Sequence, residues 1–595
     1  LSLPLLALLV LGCLGLGYRI YGRRVATVLA PDDTRPTPAV LHEDGVDFVP
    51  TRPFYLLGQH FSAIAAAGPI AGPILACQMF GWLPCILWIG LGVVFIGAVH
   101  DFSSLVASVR HRARSVAEIA RDHLGPRAWL VFMLFIWIAL VYVIVAFADI
   151  TASTFVGRSD ELPGGGRFDA GGAVAGASIL YLTLSVLMGV VQRRWDPPLW
   201  ILTLIFVPAT LGAVWAGTVL STHFVLDVAH PVRAWGLLIL AYCFVASLVP
   251  IWSLLQPRGY LGGFVLYMAL FVGIVGLLFG GFPVQQEAFK SWVAPGAGGA
   301  GVPLVPFLFV TIACGACSGF HGLVCSGTTS KQIARESHCR PVGYGAMLLE
   351  AFVALIALAT IMILAPSEVS GSPGRIYGNG LGRFLGVLIG PQHALFAATF
   401  GAMAFSTFVF DTLDVSTRLG RYILQELFRV RGRVAAAAAT LVTLTPPLLF
   451  LMAAPVAAAG QRPAYMDYWT LFGSSNQLLA ALSLLAVTVW LYRSRRPVRY
   501  TLGPMLFVLV ITLWSLGLQM RASWRRVASE GPGLDPVTVN GVAALLLALL
   551  ALALVVEALR SVSRARAWQP AGAMGSGSPA EPAEPSSERR RRAPD

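Results

Sequence analysis

Charge is scarce in this chain: Asp, Glu, Lys and Arg make up 12% of its 595 residues, against 56% hydrophobic residues. No polar stretch is long enough to fold as a soluble domain of useful size, and the apolar runs repeatedly reach the roughly 20 residues a helix needs to cross a bilayer core. The phosphate-cradling loop G-x-x-x-x-G-K-S/T is missing, which argues for gradient-driven transport over an intrinsic ATPase. A Ser nucleophile with its His base and the H-E-x-x-H helix of zinc proteases are missing too, so no enzyme is expected. The leader "LSLPLLALLVLGCLGLGYRIYGRR" lacks the basic start of a signal peptide and carries its positive charges after the apolar run; it reads as a retained first helix with its N-terminus outside. Cysteine is sparse: Cys13, Cys77, Cys85, Cys243, Cys314, Cys317, Cys325 and Cys339 lie mostly inside or beside apolar runs. That placement excludes the disulfide framework of a secreted domain and predicts free thiols.

What is there is an all-α, polytopic membrane protein with about fifteen candidate spans of roughly 20 residues each. Residues 1–56 hold the first transmembrane helix and a cytoplasmic loop, 57–302 a transmembrane bundle with a first broken helix near 66–76, and 303–492 a second bundle with a broken segment near 311–330. Residues 493–568 form the C-terminal spans, and 569–595 a polar tail expected to be disordered. The net charge of +13 invites a nucleic-acid reading, which the distribution of Lys and Arg rejects. With fifteen spans and an outside start, "YGRR", "RHRAR", "QRRW", "SKQIARESHCR", "RLGRYILQELFRVRGR", "YRSRRPVR" and "ERRRR" all fall on one side, the cytoplasm; "RASWRRVASEG" at 521–531 is the poor fit. Arg589 to Arg592 in the tail suit anionic membrane lipid rather than nucleic acid.

Two segments carry too many glycines for plain spans. "AAGPIAGPILA" (66–76) places Gly68-Pro69 and Gly72-Pro73 four residues apart, just after Gln59 and His60. Proline removes an N–H and frees a carbonyl about one turn earlier, glycine lets another backbone or a ligand approach, and irregular backbone at membrane depth survives only where it lines a cavity or is buried in protein. "TIACGACSGFHGLVCSGTTSKQ" (311–332) has the same character, and the two run in opposed directions, as inverted repeats produce. The two Gly-Pro pairs point to a substrate or ion site of the broken-helix kind. Cys314, Cys317, His321 and Cys325 stand at spacings that can share a helix face, so an intramembrane metal site is a competing reading, although small residues also serve close helix packing.

Intramembrane acids bear on coupling. Asp101 lies about 13 Å of helix before Arg110, at 1.5 Å per residue, too deep to be simply solvated. Asp149, Glu350, Asp411 and Asp414 are also flanked by apolar residues. Coupling to H+, or to Na+, is expected through Asp101, Asp411 or Asp414, with His60, His100 and His321 as alternative proton carriers. Asp414 has a plainer option, since Arg418 follows one turn later and the pair can simply close a helix end. Asn476 and Gln477 on a later span read as helix-to-helix hydrogen-bonding groups.

"DDTRPTPAVLHEDGVDFVPT", "LLGQHFSAIAAAGPIAGPILACQMFGWLP", "GAVHDF", "ACGACSGFHGLVCSGTTSKQIARE", "GYGAMLLEAFVALIAL", "LDVSTRLGRYILQELF" and "LFGSSNQLLAA" together resemble the carbon starvation protein A family, from about Pro31 to Val487. The resemblance implies a bacterial inner-membrane importer of small peptides or of pyruvate-like carboxylates, proton-coupled and without a cofactor, built on inverted repeats with broken helices like those of the amino-acid/polyamine/organocation transporters. It also implies a substrate path along Gly68, Pro69, Gly72, Pro73, Ser318, His321, Ser326, Thr328 and Thr329, with a carboxylate expected to meet helix N-termini and hydroxyls near Ser326 to Thr329. The family's "AVQDF" reads "AVHDF" here, which puts His100 beside Asp101. A nutrient sensor signalling through its tail is a third class. A homo-oligomer or a small cytoplasmic partner leaves no readable signature.

Overall fold

The computed structural model describes residues 2–45, 47–157, 159–161, 167–295, 301–454, 464–533 and 535–567. The tail at 569–595, expected to be disordered, lies outside the described residues. In chain order the helices are α1 (Leu3–Leu29), α2 (Pro53–Ile64), α3 (Gly68–Phe80), α4 (Trp82–Arg110), α5 (Val116–Leu124), α6 (Pro126–Thr154), α7 (Ala170–Trp195), α8 (Leu199–Val219), α9 (Pro231–Leu248) and α10 (Leu255–Phe279). They continue with α11 (Leu304–Thr311), α12 (Gly319–Gly327), α13 (Glu336–Met362), α14 (Pro373–Ile389), α15 (Pro391–Leu427), α16 (Arg433–Ala453), α17 (Tyr465–Arg493), α18 (Arg499–Glu530) and α19 (Pro536–Arg564). Two short antiparallel hairpins, Ser159–Glu161 with Arg167–Asp169 and Val293–Pro295 with Gly301–Pro303, are the strands described.

Thirteen of these helices are long and apolar enough to cross a membrane, and the bent pair α2/α3 makes fourteen. The expected fifteen is reached only when α11 and α12 are counted together as one more interrupted span. Gly68-Pro69 opens the helix after the first interruption, Gly315 lies in the turn of the second, and Gly319 opens the helix that follows it. The chain turns by 48° between α2 and α3, where Ala65 leaves helical geometry (φ −75°, ψ 54°). Between α11 and α12, Ile312 (φ −96°, ψ 62°) ends one helix and the extended Ser318 (φ −125°, ψ 127°) starts the next.

Burial sorts the spans. α17 is the central helix: its most apolar stretch is wholly buried, although it carries Ser474, Ser475, Asn476, Gln477 and Ser483. Those polar side chains are kept from lipid by neighbouring helices, which supply partners to Ser474, Asn476 and Gln477, whereas Ser475 and Ser483 donate to Phe472 O and Leu479 O of their own helix. α1 and α8 are peripheral, with only about a third of their apolar stretches covered by protein, and their exposed Leu, Ile and Trp side chains suit a lipid surround. Pro373 starts α14, which packs antiparallel on α15 with Gly378 and Gly382 against Ala398 and Ala402. Glycine every fourth residue on one face is what such close packing demands.

On the side expected to be cytoplasmic, the loop after α1 is strapped across the start of α13. Asp32 N–H donates to Glu336 Oε2 at 2.8 Å, Arg110 Nη2 meets the same oxygen at 2.7 Å, and Ser337 donates to Asp33 through N–H and hydroxyl at 2.8 and 2.7 Å. Burial pushes the Asp33 carboxyl up, but the two bonds from Ser337 outweigh it and hold it below its usual 3.8.

Candidate functional site

The two interrupted segments cross each other in direct contact. A Cβ on Gly68 would strike the Cys314 side chain, and one on Gly72 would lie 2.6 Å from Thr311 O. Pro69 packs beside Gly315 at the same crossing, and Pro73 sits inside α3. All four of Gly68, Pro69, Gly72 and Pro73 are buried. These glycines therefore admit the backbone of the other segment, and protein fills the room their missing side chains leave. The carbonyls at the second interruption are likewise occupied. Trp469 Nε1 donates to Thr311 O (3.0 Å), Trp88 Nε1 to Ile312 O (3.1 Å) and Gln477 Nε2 to Phe309 O (2.9 Å). Asn476 Oδ1 accepts from Phe320 N–H at 3.0 Å and its amide donates to Ser318 Oγ at 3.0 Å. Asn476 and Gln477 thus tie α17 to the break, as their position on a span suggested.

Beside this crossing lies a chain of ionisable side chains on three elements. Asp101, on α4, accepts from His100 Nδ1 through Oδ1 at 2.7 Å and faces His321 Nδ1 on α12 through Oδ2 at 2.9 Å. His321 Nε2 in turn lies 3.3 Å from Glu350 Oε2 on α13. All four are at most 1% exposed. His60, on α2, continues the cluster: its Nδ1 is 2.8 Å from Thr329 Oγ1, and its Nε2 is 3.8 Å from Cys325 Sγ, which donates to Asp101 O at 3.6 Å. Among the described residues His100 Nε2 has no hydrogen-bond partner, and Glu350 has none beyond its ion pair with His321. Residues from both halves of the chain, 260 positions and more apart in the case of His60 and Thr329, are thereby gathered into one buried site.

The anion pocket expected near Ser326 to Thr329 is corrected. Those residues stand at the C-terminal end of α12, where the helix dipole is negative and repels a carboxylate. Ser326 hydroxyl is occupied by Gly322 O and by Val116 N–H, Thr328 bonds Val324 O, and Thr329 faces His60. The metal reading is not assembled either. Cys314 accepts from the Asn476 amide and abuts Gly68, while His321 is turned to Asp101 and Glu350. Among the described residues no group of three or more His, Cys, Asp or Glu is placed to hold a metal ion, Cys317 included. All eight cysteines are free thiols.

Asp411 and Asp414 form a second, separate network. Arg258 on α10 reaches Asp411 Oδ1 through Nη2 and Asp414 Oδ2 through Nη1, both at 2.6 Å. Tyr242 hydroxyl on α9 donates to Asp414 Oδ2 at 2.9 Å, and Tyr181 hydroxyl on α7 donates to Arg258 O at 2.8 Å. Arg418 does not close the helix end with Asp414: its Nη2 donates to Val249 O at 2.7 Å and to Ala246 O. Sequence reasoning missed Arg258, because an arginine in the first turn of a span looks like a flanking cytoplasmic charge. Asp149 is buried on α6 and makes no ion pair among the described residues.

The sequence model of the family described as "Carbon starvation protein CstA" matches residues 3–372 and 368–515. The chain is 33% identical over 574 residues to "Peptide transporter CstA" of Campylobacter jejuni, covering 85% of this chain and 78% of that protein. It is 30% identical over 607 residues to "Pyruvate/proton symporter BtsT" of Escherichia coli, covering 84% and 80%. Among solved structures, a manganese transporter of Eremococcus coleocola aligns at 13% identity and a TM-score of 0.47, over 88% of this chain and 99% of that one. The family match spans the interrupted segments and both buried networks, and the chain belongs to the carbon starvation protein CstA family.

Proposed function

We propose that this protein is a secondary active transporter of the bacterial inner membrane that imports small peptides by proton-coupled alternating access, its N-terminus outside and its C-terminus in the cytoplasm. The observation that carries the reading is the His100–Asp101–His321–Glu350 chain, buried where the two interrupted segments meet α4 and α13. A carboxylate–imidazole–carboxylate chain can hold a proton at several atoms, and ionisable groups at membrane depth are retained for such work. A proton placed on Asp101 removes the negative charge that His321 Nδ1 faces, which weakens the tie between α12 and α4. A proton lost from His321 removes the cation between the two carboxylates at its ring nitrogens and leaves one of them without a donor, which favours separation of α4 from α13. Either change biases how the two interrupted segments sit against the rest of the bundle, as coupling of a proton to a two-state rearrangement requires.

The opposed direction of the segments and the one-sided Lys/Arg clusters support an inverted-repeat transporter with the stated orientation. Pyruvate or another small carboxylate is the second reading, favoured by the relative named a pyruvate/proton symporter. The test is uptake of labelled alanylalanine and of labelled pyruvate into proteoliposomes with an acid exterior. Accumulation that a protonophore collapses supports the reading and names the substrate. No accumulation of either compound under a proton gradient contradicts it.

A further inference from the structure

We propose that Arg258 is the receptor for the carboxylate of the transported substrate, and that Asp411 occupies this receptor as an internal competitor when no substrate is bound. The inference rests on the reading that the protein moves peptides or small carboxylates, and it names the site where that carboxylate is held. Three arginines of the described residues are buried: Arg258, Arg418 and Arg421. Arg418 and Arg421 donate to the backbone carbonyls of Ala246, Ser247 and Val249 at the end of α9. Arg258 alone faces carboxylates, at 1% exposure.

The two carboxylates are not equivalent. Asp414 is fully enclosed and held additionally by Tyr242, whereas the Asp411 side chain is 32% exposed and, among the described residues, takes no hydrogen bond apart from its ion pair. Its open side is bordered by small residues: a Cβ on Gly262 would lie 3.1 Å from Asp411 Oδ2, and the neighbouring Gly263 faces Ser62 on α2. The guanidinium is also incompletely used. Arg258 Nε is buried without a hydrogen-bond partner, while the adjacent Nη2 makes the single contact with Asp411. The Nε–Nη2 edge is the fork that accepts a carboxylate through two parallel hydrogen bonds. An incoming carboxylate that replaces Asp411 there gains one bond more than Asp411 makes, and the displaced Asp411 turns into the opening it already borders. Asp414 and Tyr242 keep the other edge of the guanidinium fixed throughout.

An internal competitor lowers apparent affinity by the fraction of time it occupies the site, so removing it should tighten binding. The experiment measures binding of labelled pyruvate and labelled alanylalanine to the purified full-length protein, with alanylalanine amide as the carboxylate-free probe. Asp411→Asn leaves Arg258 neutralised by Asp414, and it is expected to bind both carboxylates about tenfold more tightly, the size of a competitor occupying nine-tenths of sites. Arg258→Lys keeps the positive charge but loses the fork, and is expected to bind them at least about tenfold more weakly. The amide should bind poorly to the native protein and be indifferent to both substitutions. A merely structural ion pair predicts the opposite for Asp411→Asn, a loss of binding parallel to that of Arg258→Lys, and that result overturns the proposal. So does absence of carboxylate binding to the native protein, or binding that Arg258→Lys leaves unchanged. Proton-driven uptake, measured in parallel, separates this from the transport reading: binding that follows the predicted pattern without uptake refutes transport and leaves the site standing, whereas uptake insensitive to Arg258→Lys refutes the site alone.

Discussion

The two buried networks solve the problem of charge at membrane depth differently. Around Arg258 a permanent cation is matched by Asp411 and Asp414, with tyrosine hydroxyls alongside. Around Asp101 no permanent cation is paired among the described residues: His60, His100 and His321 share the space with Asp101 and Glu350. A guanidinium stays charged, so the first network can exchange partners but cannot shed its cation. Imidazoles gain and lose protons near neutral pH, so the second can change its total charge. The contrast teaches a division of labour, with ligand exchange suited to one network and proton exchange to the other.

Substitutions that remove one member of each network should separate these characters. The largest effect is expected from Arg258→Gln, which strands two carboxylates in the bundle; breaking a buried pair in this way costs about 3–5 kcal/mol. Thermal unfolding in detergent should show a strongly destabilised protein, and a melting temperature equal to that of the native chain would show that the acids tolerate each other. Next comes the crossing beside the Asp101–His321–Glu350 network. Gly72→Ala sets a Cβ 2.6 Å from the Thr311 carbonyl, and overpacking of this kind costs about 1–3 kcal/mol. Gly327→Ala meets nothing within 4 Å and serves as its control; equal losses for both would remove the close approach from the argument. The smallest effect belongs to the strap. Because the Asp33 carboxyl is held below its unfolded value, its stabilisation is complete above the usual carboxylate range and is lost as pH falls through the lowered value. Protease cleavage of the strap loop should therefore rise only in acid, and Asp33→Asn should flatten that rise.

Much of this was legible because membrane solvent imposes simple rules. The apolar runs announced the spans, and Gly68-Pro69, Gly72-Pro73 and the glycines from Gly315 to Gly327 announced both interruptions. What those glycines are for was not legible. Gly72 looked equally suited to a ligand or to a backbone, and only the position of Thr311 decides. Asp101, His100, His321 and His60 were each suspect as ionisable residues at depth, yet nothing in the order of residues says that Glu350 completes the chain. The direction of α12 was what misled the anion assignment. Ser326, Thr328 and Thr329 are the right residue types for a carboxylate, but they stand at the carbonyl end of their helix. Arg258 stayed hidden for a related reason: depth is set by tilt and packing, and sequence position alone placed it at the membrane edge.

Proton-driven accumulation in proteoliposomes holding the native protein or Asp101→Asn, compared with substrate exchange in the absence of any gradient, bears most directly on proton coupling at the interrupted segments. With the carboxylate replaced by a neutral amide, exchange should persist while accumulation driven by an acid exterior disappears. Accumulation that Asp101→Asn sustains at the native level would contradict coupling through this network.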